Sequence, residues 1–193
     1  MIDVILADRG SCSILDLGGT PAYWAGFDRE LKSRNVSVTI VNLLMQPATS
    51  SRISCIVGDA TDLSHFGKNS FDIVHSNSVI EHVGDWTRLQ AFAGEATRLA
   101  PAYFVQTPNL WFPLDMHSRT PFFHWLPVRL RIKLLMHRRC GFYPRARTVD
   151  EALSHIHDAN CLTRTQMQKL FAGANIERER FFGMTKSLIA VRG

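Results

Sequence analysis

Short apolar runs alternate with amphipathic stretches through the first 110 residues, and no other feature of the 193-residue chain narrows its fold so far. Ser13–Leu17, Val38–Leu43, Ile53–Val57, Phe71–His75 and Ala102–Gln106 read as strands, rich in branched or aromatic residues and bounded by Gly, Pro, Asn or Asp. Pro21–Arg34 reads as a helix with Thr20 as its cap and Pro21 in its first turn. Trp86–Ala100 reads as another, with Leu89, Phe92, Ala93, Ala96, Leu99 and Ala100 on one face and Pro101 closing it. This order predicts an α/β fold, Rossmann-like, with a mostly parallel sheet covered by helices on both faces.

After Pro108 the pattern breaks, and 108–150 reads as an aromatic, basic insertion on a single domain spanning 1–193. Order returns with a helix over Thr163–Ala172 and two strands, Ile176–Phe182 and Ser187–Val191. The net charge of +5 would suit a nucleic-acid partner if it were spread over the chain. It is not: Met116 to Val149 holds Arg119, Arg129, Arg131, Lys133, Arg138, Arg139, Arg145 and Arg147 and no acid, leaving 14 basic residues against 17 acidic ones elsewhere. No nucleic acid is expected, since no RNA-binding module accompanies the charge.

Cys12, Cys55, Cys140 and Cys161 are too far apart for a CxxC site and read as reduced thiols. The opening MIDVILADRG lacks the form of a signal peptide, and no run approaches the ~20 apolar residues of a membrane span. The expected location is the cytoplasm.

Chemistry concentrates where strands end. Ile14-Leu15-Asp16-Leu17-Gly18-Gly19-Thr20-Pro21 runs a strand through a glycine turn into a helix, whose free N–H groups suit an anion. Asn42 ends the second strand, Gly58-Asp59-Ala60 the third, and His75-Ser76-Asn77-Ser78-Val79-Ile80-Glu81-His82-Val83 leaves the fourth. Open α/β sheets bind ligands at these carboxyl ends.

Over residues ~10–110 these motifs, by their order and spacing, resemble the class I S-adenosylmethionine-dependent methyltransferases of the type 11-like group. The resemblance implies seven strands with the last antiparallel, S-adenosyl-L-methionine as cofactor, and methyl transfer to oxygen, nitrogen or carbon of a small-molecule, glycan or lipid-linked acceptor. It implies that Asp16, Gly18, Gly19 and Thr20 surround the amino acid end of the cofactor, and that Asn42 reaches the ribose. Asp59 and Ala60 would meet the adenine, and Asn77 and Ser78 the methyl group. The general base would be His117, then His82, then Asp115.

The chain also departs from the family. Thr20 and Ala22 stand where alternating glycines fall, Asn42 replaces the ribose acid, and about nine residues precede Gly10 where a covering helical region is usual. Glu81-His82-Val83 is shared with quinone-biosynthesis O-methyltransferases, but Ser78 stands where those enzymes place a further metal-binding carboxylate, so no catalytic metal is expected. A non-catalytic cofactor- or partner-binding relative and a nicotinamide-dependent oxidoreductase are the competing readings. Trp111, Phe112, Phe122, Phe123 and Trp125 could wall a substrate site or form a satellite core. Val128–Arg139 reads as a helix that lies on an anionic membrane, grips an acidic or lipid-linked substrate, or is merely solvated. The oligomeric state is not legible.

Overall fold

The computed structural model describes residues 1–193. Its elements run α1 (Ile2–Arg9), β1 (Cys12–Leu17), α2 (Pro21–Ala25), α3 (Asp28–Ser33), β2 (Val36–Asn42), β3 (Ile53–Val57) and β4 (Ile73–Asn77). They continue as α4 (Trp86–Leu99), β5 (Ala102–Pro108), α5 (Val128–His137), α6 (Val149–His157), α7 (Arg164–Leu170), β6 (Asn175–Phe181) and β7 (Met184–Arg192). Seven strands form one sheet in the order β3-β2-β1-β4-β5-β7-β6. The first five are parallel, and β7 runs antiparallel to both β5 and β6. From β1 the chain builds outward through β2 and β3, then crosses to β4 on the other side, so a ligand-binding crevice falls between the ends of β1 and β4.

Alternation along the strands divides the core. Cys12, Ile14, Val38, Ile40 and Ile73 face Trp24 and Leu31 on one side, while Leu15, Leu17, Val41, Val74 and Val105 face α4 and α7 on the other. The whole stripe expected on α4 is buried, Ala100 just past its end included, and Asp85 caps the helix by accepting from the Arg88 N–H. Thr163 and Gln166 close a capping box on α7.

Several sequence-based expectations need correction. Pro21–Arg34 is two short helices broken at Gly26 and Phe27, because only Trp24 and Leu31 are held by the core. Thr20 precedes the first helix but makes no side-chain cap, and five residues are too few for an anion-binding helix end. Phe71 and Asp72 precede β4: the Asp72 carboxylate takes the Ser13 N–H and hydroxyl, substituting for ladder bonds there. Residues 149–157, read within and after the irregular stretch, form α6, capped by Thr148.

The long segment between β5 and α7 has its own core, in which Phe123, Leu135, Cys140, Tyr143, Ala146, Ala152 and Ile156 pack together. Phe112 is also buried, whereas Trp111, Phe122 and Trp125 are exposed, so the aromatic residues divide between core and surface. α1 packs Ile2, Ile5 and Leu6 near the amino end of β1, where Arg9 pairs with Asp72, and does not cover the crevice. No helix is long and apolar enough to cross a membrane.

Candidate active site

Two clefts open side by side at the carboxyl ends of the strands and share Ser78. The first, about 280 Å³, lies over β1, β2 and β3 and is lined by Gly18, Asn42, Asp59, Ala60, Val79 and His82, among others. The second, about 480 Å³, is lined by Tyr23, Asn77, Gln106, His117, Phe142 and the Glu179–Lys186 ion pair, among others.

Local chain geometry builds the first cleft. Gly18 has φ 74, donates its N–H to the Val41 carbonyl at 2.8 Å, and passes so close to Val79 that a Cβ would overlap that side chain. Asn42 ties the turn to β2 by donating to the Gly19 carbonyl at 3.1 Å, which leaves most of its amide oxygen's capacity facing the cleft. Asp59 receives the Thr61 N–H and hydroxyl on one oxygen and the Arg88 guanidinium on the other, 2.8 Å away. Partial burial would raise its pKa, but these hydrogen bonds outweigh burial and hold the carboxyl below its ordinary value.

Ser78 joins the clefts in a left-handed conformation, φ 56. The end of β5 over-determines that strained backbone: Gln106 accepts from the Ser78 N–H at 3.1 Å through its carbonyl and from the hydroxyl at 2.8 Å through its side chain. Asn77 makes no side-chain hydrogen bond, so its amide is free to meet a ligand in the second cleft.

Asp16 is not in either cleft. It is 1% exposed; Trp24 Nε1–H donates to one carboxylate oxygen at 2.6 Å and His75 Nδ1 contacts the other at 2.8 Å. Gly19 is required there, because a Cβ on it would occupy the space of the Asp16 carboxylate. Asp16 therefore braces the turn from beneath, joining α2 to β4, and Gly19 and Thr20 likewise line neither cleft. Asp16→Ala strands the buried Trp24 Nε1–H and the partly buried His75 Nδ1 and is expected to cost about 3 kcal/mol, read as a melting temperature lower by roughly 6–12 °C. An unchanged melting temperature would mean that the brace is dispensable.

Three of the expected site residues meet around the loop after β5. His117 Nε2 lies 3.1 Å from His82 Nε2, and His82 Nδ1 lies 2.7 Å from the Asp158 carbonyl, which requires its proton there. Burial, with His82 beside it, pushes the His117 pKa below the ordinary histidine value. Asp115 is buried under the turn and accepts the N–H groups of His117 and Ser118, so it shapes the loop and does not face either cleft. Burial would raise its pKa, yet His124 and Ser118 hold its carboxyl below the usual range. Gly141 packs against the His117 and Ser118 backbone so tightly that a Cβ would overlap it, and Phe142 N–H donates to the His117 carbonyl at 2.9 Å.

Sequence reasoning missed Arg88, His75, Gln106 and Phe142. Their partners lie more than 20 residues away and carry no local signal; Phe142 sits in the basic segment with Arg119 4.4 Å over its ring.

Residues 17–101 match the model of a family described as methyltransferase domain. A search among curated proteins finds no match. In structure the chain is similar to an S-adenosylmethionine-dependent methyltransferase from Methanosarcina mazei, at 16% identity over 97% of this chain and 96% of the other, with a TM-score of 0.55. It is similar to an S-adenosylmethionine-dependent methyltransferase from Mesorhizobium loti, at 18% identity over 100% and 95%, TM-score 0.56. A Burkholderia thailandensis 1,6-didemethyltoxoflavin-N1-methyltransferase, solved with 1,6-didemethyltoxoflavin and S-adenosylhomocysteine bound, matches at 12% identity over 99% and 76%, TM-score 0.56. At these identities the likeness is one of fold.

Proposed function

We propose that this chain, whose residues 17–101 match the methyltransferase-domain family model and whose fold is shared with S-adenosylmethionine-dependent methyltransferases, methylates an oxygen, nitrogen or carbon of a small-molecule, glycan or lipid-linked acceptor. The observation that carries this reading is the pair of adjoining clefts meeting at Ser78.

The first cleft suits an adenosine group. Gly18 and Gly58 bring backbone close to it, Asn42 offers a carbonyl and an amide to ribose hydroxyls, and Asp59 with Ala60 stands where an adenine edge would lie. S-adenosylmethionine, when bound, supplies a methyl group already activated on a sulfonium. The work left to the chain is alignment, exclusion of water and proton removal. Asn77 and Ser78, at the junction, sit where the methyl group would face the acceptor. The acceptor fills the second cleft, and the proton it loses goes to the His117–His82 pair, with His117 as the member that lines that cleft. The basic segment beside it, including Arg119 and Phe142, selects the acceptor.

Calorimetry with S-adenosylhomocysteine tests the first half of this reading. The expected Kd is micromolar, roughly 1–100 μM, rising about tenfold in Asp59→Ala and Asn42→Ala. No binding in the wild-type protein would end the reading. A parallel titration with NAD should show none, and labelled-methyl transfer across an acceptor panel distinguishes an enzyme from a protein that only binds.

A further inference from the structure

Apolar surface gathers in the segment after β5, outside the two clefts. Trp111, Phe122 and Trp125 are 66%, 50% and 43% exposed, yet their rings lean on one another: the Trp125 centroid lies 6.3 Å from that of Trp111 and 5.3 Å from that of Phe122. Leu114 bridges to Pro121, next to Phe122, and Val128 and Leu130 follow on the first turn of α5; all three aliphatic side chains are exposed. Exposed apolar residues scattered singly are ordinary, whereas a contiguous group marks an interface. Phe122 also holds a left-handed backbone, φ 60, which strains a bulky residue while only half of its side chain is covered. Positive charge borders the group. Arg129, Lys133 and His137 recur every four residues on α5 and are exposed with Leu130 among them, while Leu135 on the far side is buried. None of the eight basic side chains between Met116 and Val149 pairs with a carboxylate, although Arg9, Lys32, Arg34, Arg88, Arg98 and Lys186 all do.

We propose that this face, the aromatic trio with the outward side of α5, docks on the surface of an anionic lipid bilayer. Indole and phenyl rings settle at the level of the headgroups, aliphatic side chains reach just below them, and unpaired bases meet lipid phosphates and carboxylates. Nucleic acid fits the charge but gives Leu114, Val128 and Leu130 nothing to meet, and the three rings are engaged with one another instead of standing apart to stack on bases. A second copy meeting this face through a two-fold axis would set one basic segment against the other. The bridge between Leu114 and Pro121 closes the turn that carries His117, so docking holds the second cleft close to the lipid. The surface itself stands whether or not the chain transfers methyl groups.

Flotation of the full-length protein with extruded vesicles tests this. Phosphatidylcholine vesicles carrying about 30% phosphatidylglycerol should bind it at least about tenfold more tightly than pure phosphatidylcholine, and added NaCl should weaken the binding. Tryptophan emission should shift to the blue on binding and be quenched by brominated lipid. The double reversal Arg129→Glu/Lys133→Glu should weaken association by at least about tenfold, and Trp111→Ser should weaken it by about as much and reduce the quenching. Phe122→Asn should also weaken binding without lowering the melting temperature, because asparagine accepts the left-handed backbone. Circular dichroism and melting temperature should show that the charge-reversed and Trp111→Ser variants fold as the wild type does. Four results overturn the proposal: no preference for anionic vesicles, binding unchanged by Trp111→Ser, a single-stranded RNA oligonucleotide bound where vesicles are not, or self-association that Trp111→Ser abolishes in a protein that binds no vesicle. The last two would assign the face to nucleic acid and to a second copy of the chain. S-adenosylhomocysteine affinity, measured on the same samples, reports separately on the methyltransferase reading.

Discussion

His117→Ala is expected to lower kcat by about 10²- to 10⁴-fold while leaving S-adenosylhomocysteine affinity unchanged. The separation follows from position: His117 lines the second cleft only, and the groups proposed to meet ribose and adenine line the first. Burial, with His82 beside it, lowers its pKa and so favours the uncharged ring that a base must be. Transfer of labelled methyl to an acceptor from the panel gives kcat, and calorimetry gives affinity. A parallel loss in both would make His117 a structural residue, and an unchanged kcat would remove it from the chemistry.

Gly18→Ala should be strongly damaging for a single added methyl group. Alanine at φ 74 is strained, and its Cβ would overlap Val79 at the floor of the first cleft. The combined cost is about 2–4 kcal/mol, seen as a melting temperature lower by roughly 5–15 °C, with S-adenosylhomocysteine binding lost. The Gly18→Ala/Val79→Ala double variant should recover part of the stability, because the clash is removed and only the backbone strain remains. If the double variant is no better than the single, the overlap is not the cause.

Legibility in the sequence followed the range of the interaction. Strands β1, β3 and β5 and helix α4 rest on local periodicity and turn residues, and the structure places them within a residue or two of expectation. Residues that line the clefts from strand ends, Gly18, Asn42, Asp59, Ala60, Asn77 and Ser78, were recognisable because the crevice always falls there in an open parallel sheet. Asp16 looks the same in sequence, yet Trp24 and His75 take both of its oxygens. Only the packing of α2 against β4 decides that. The segment from Asn109 to Leu162 was hardest to read, because its core is small and α6 is only nine residues long.

β7 follows the other six strands of the sheet in the chain, yet it lies inside the sheet, between β5 and β6. Until it inserts, the growing chain has every strand that frames the first cleft, while β5 is a bare edge with unpaired N–H and C=O groups. Ser187 and Ile189, on β7, also complete the wall of the second cleft. The second cleft is therefore complete only once β7 has closed the sheet.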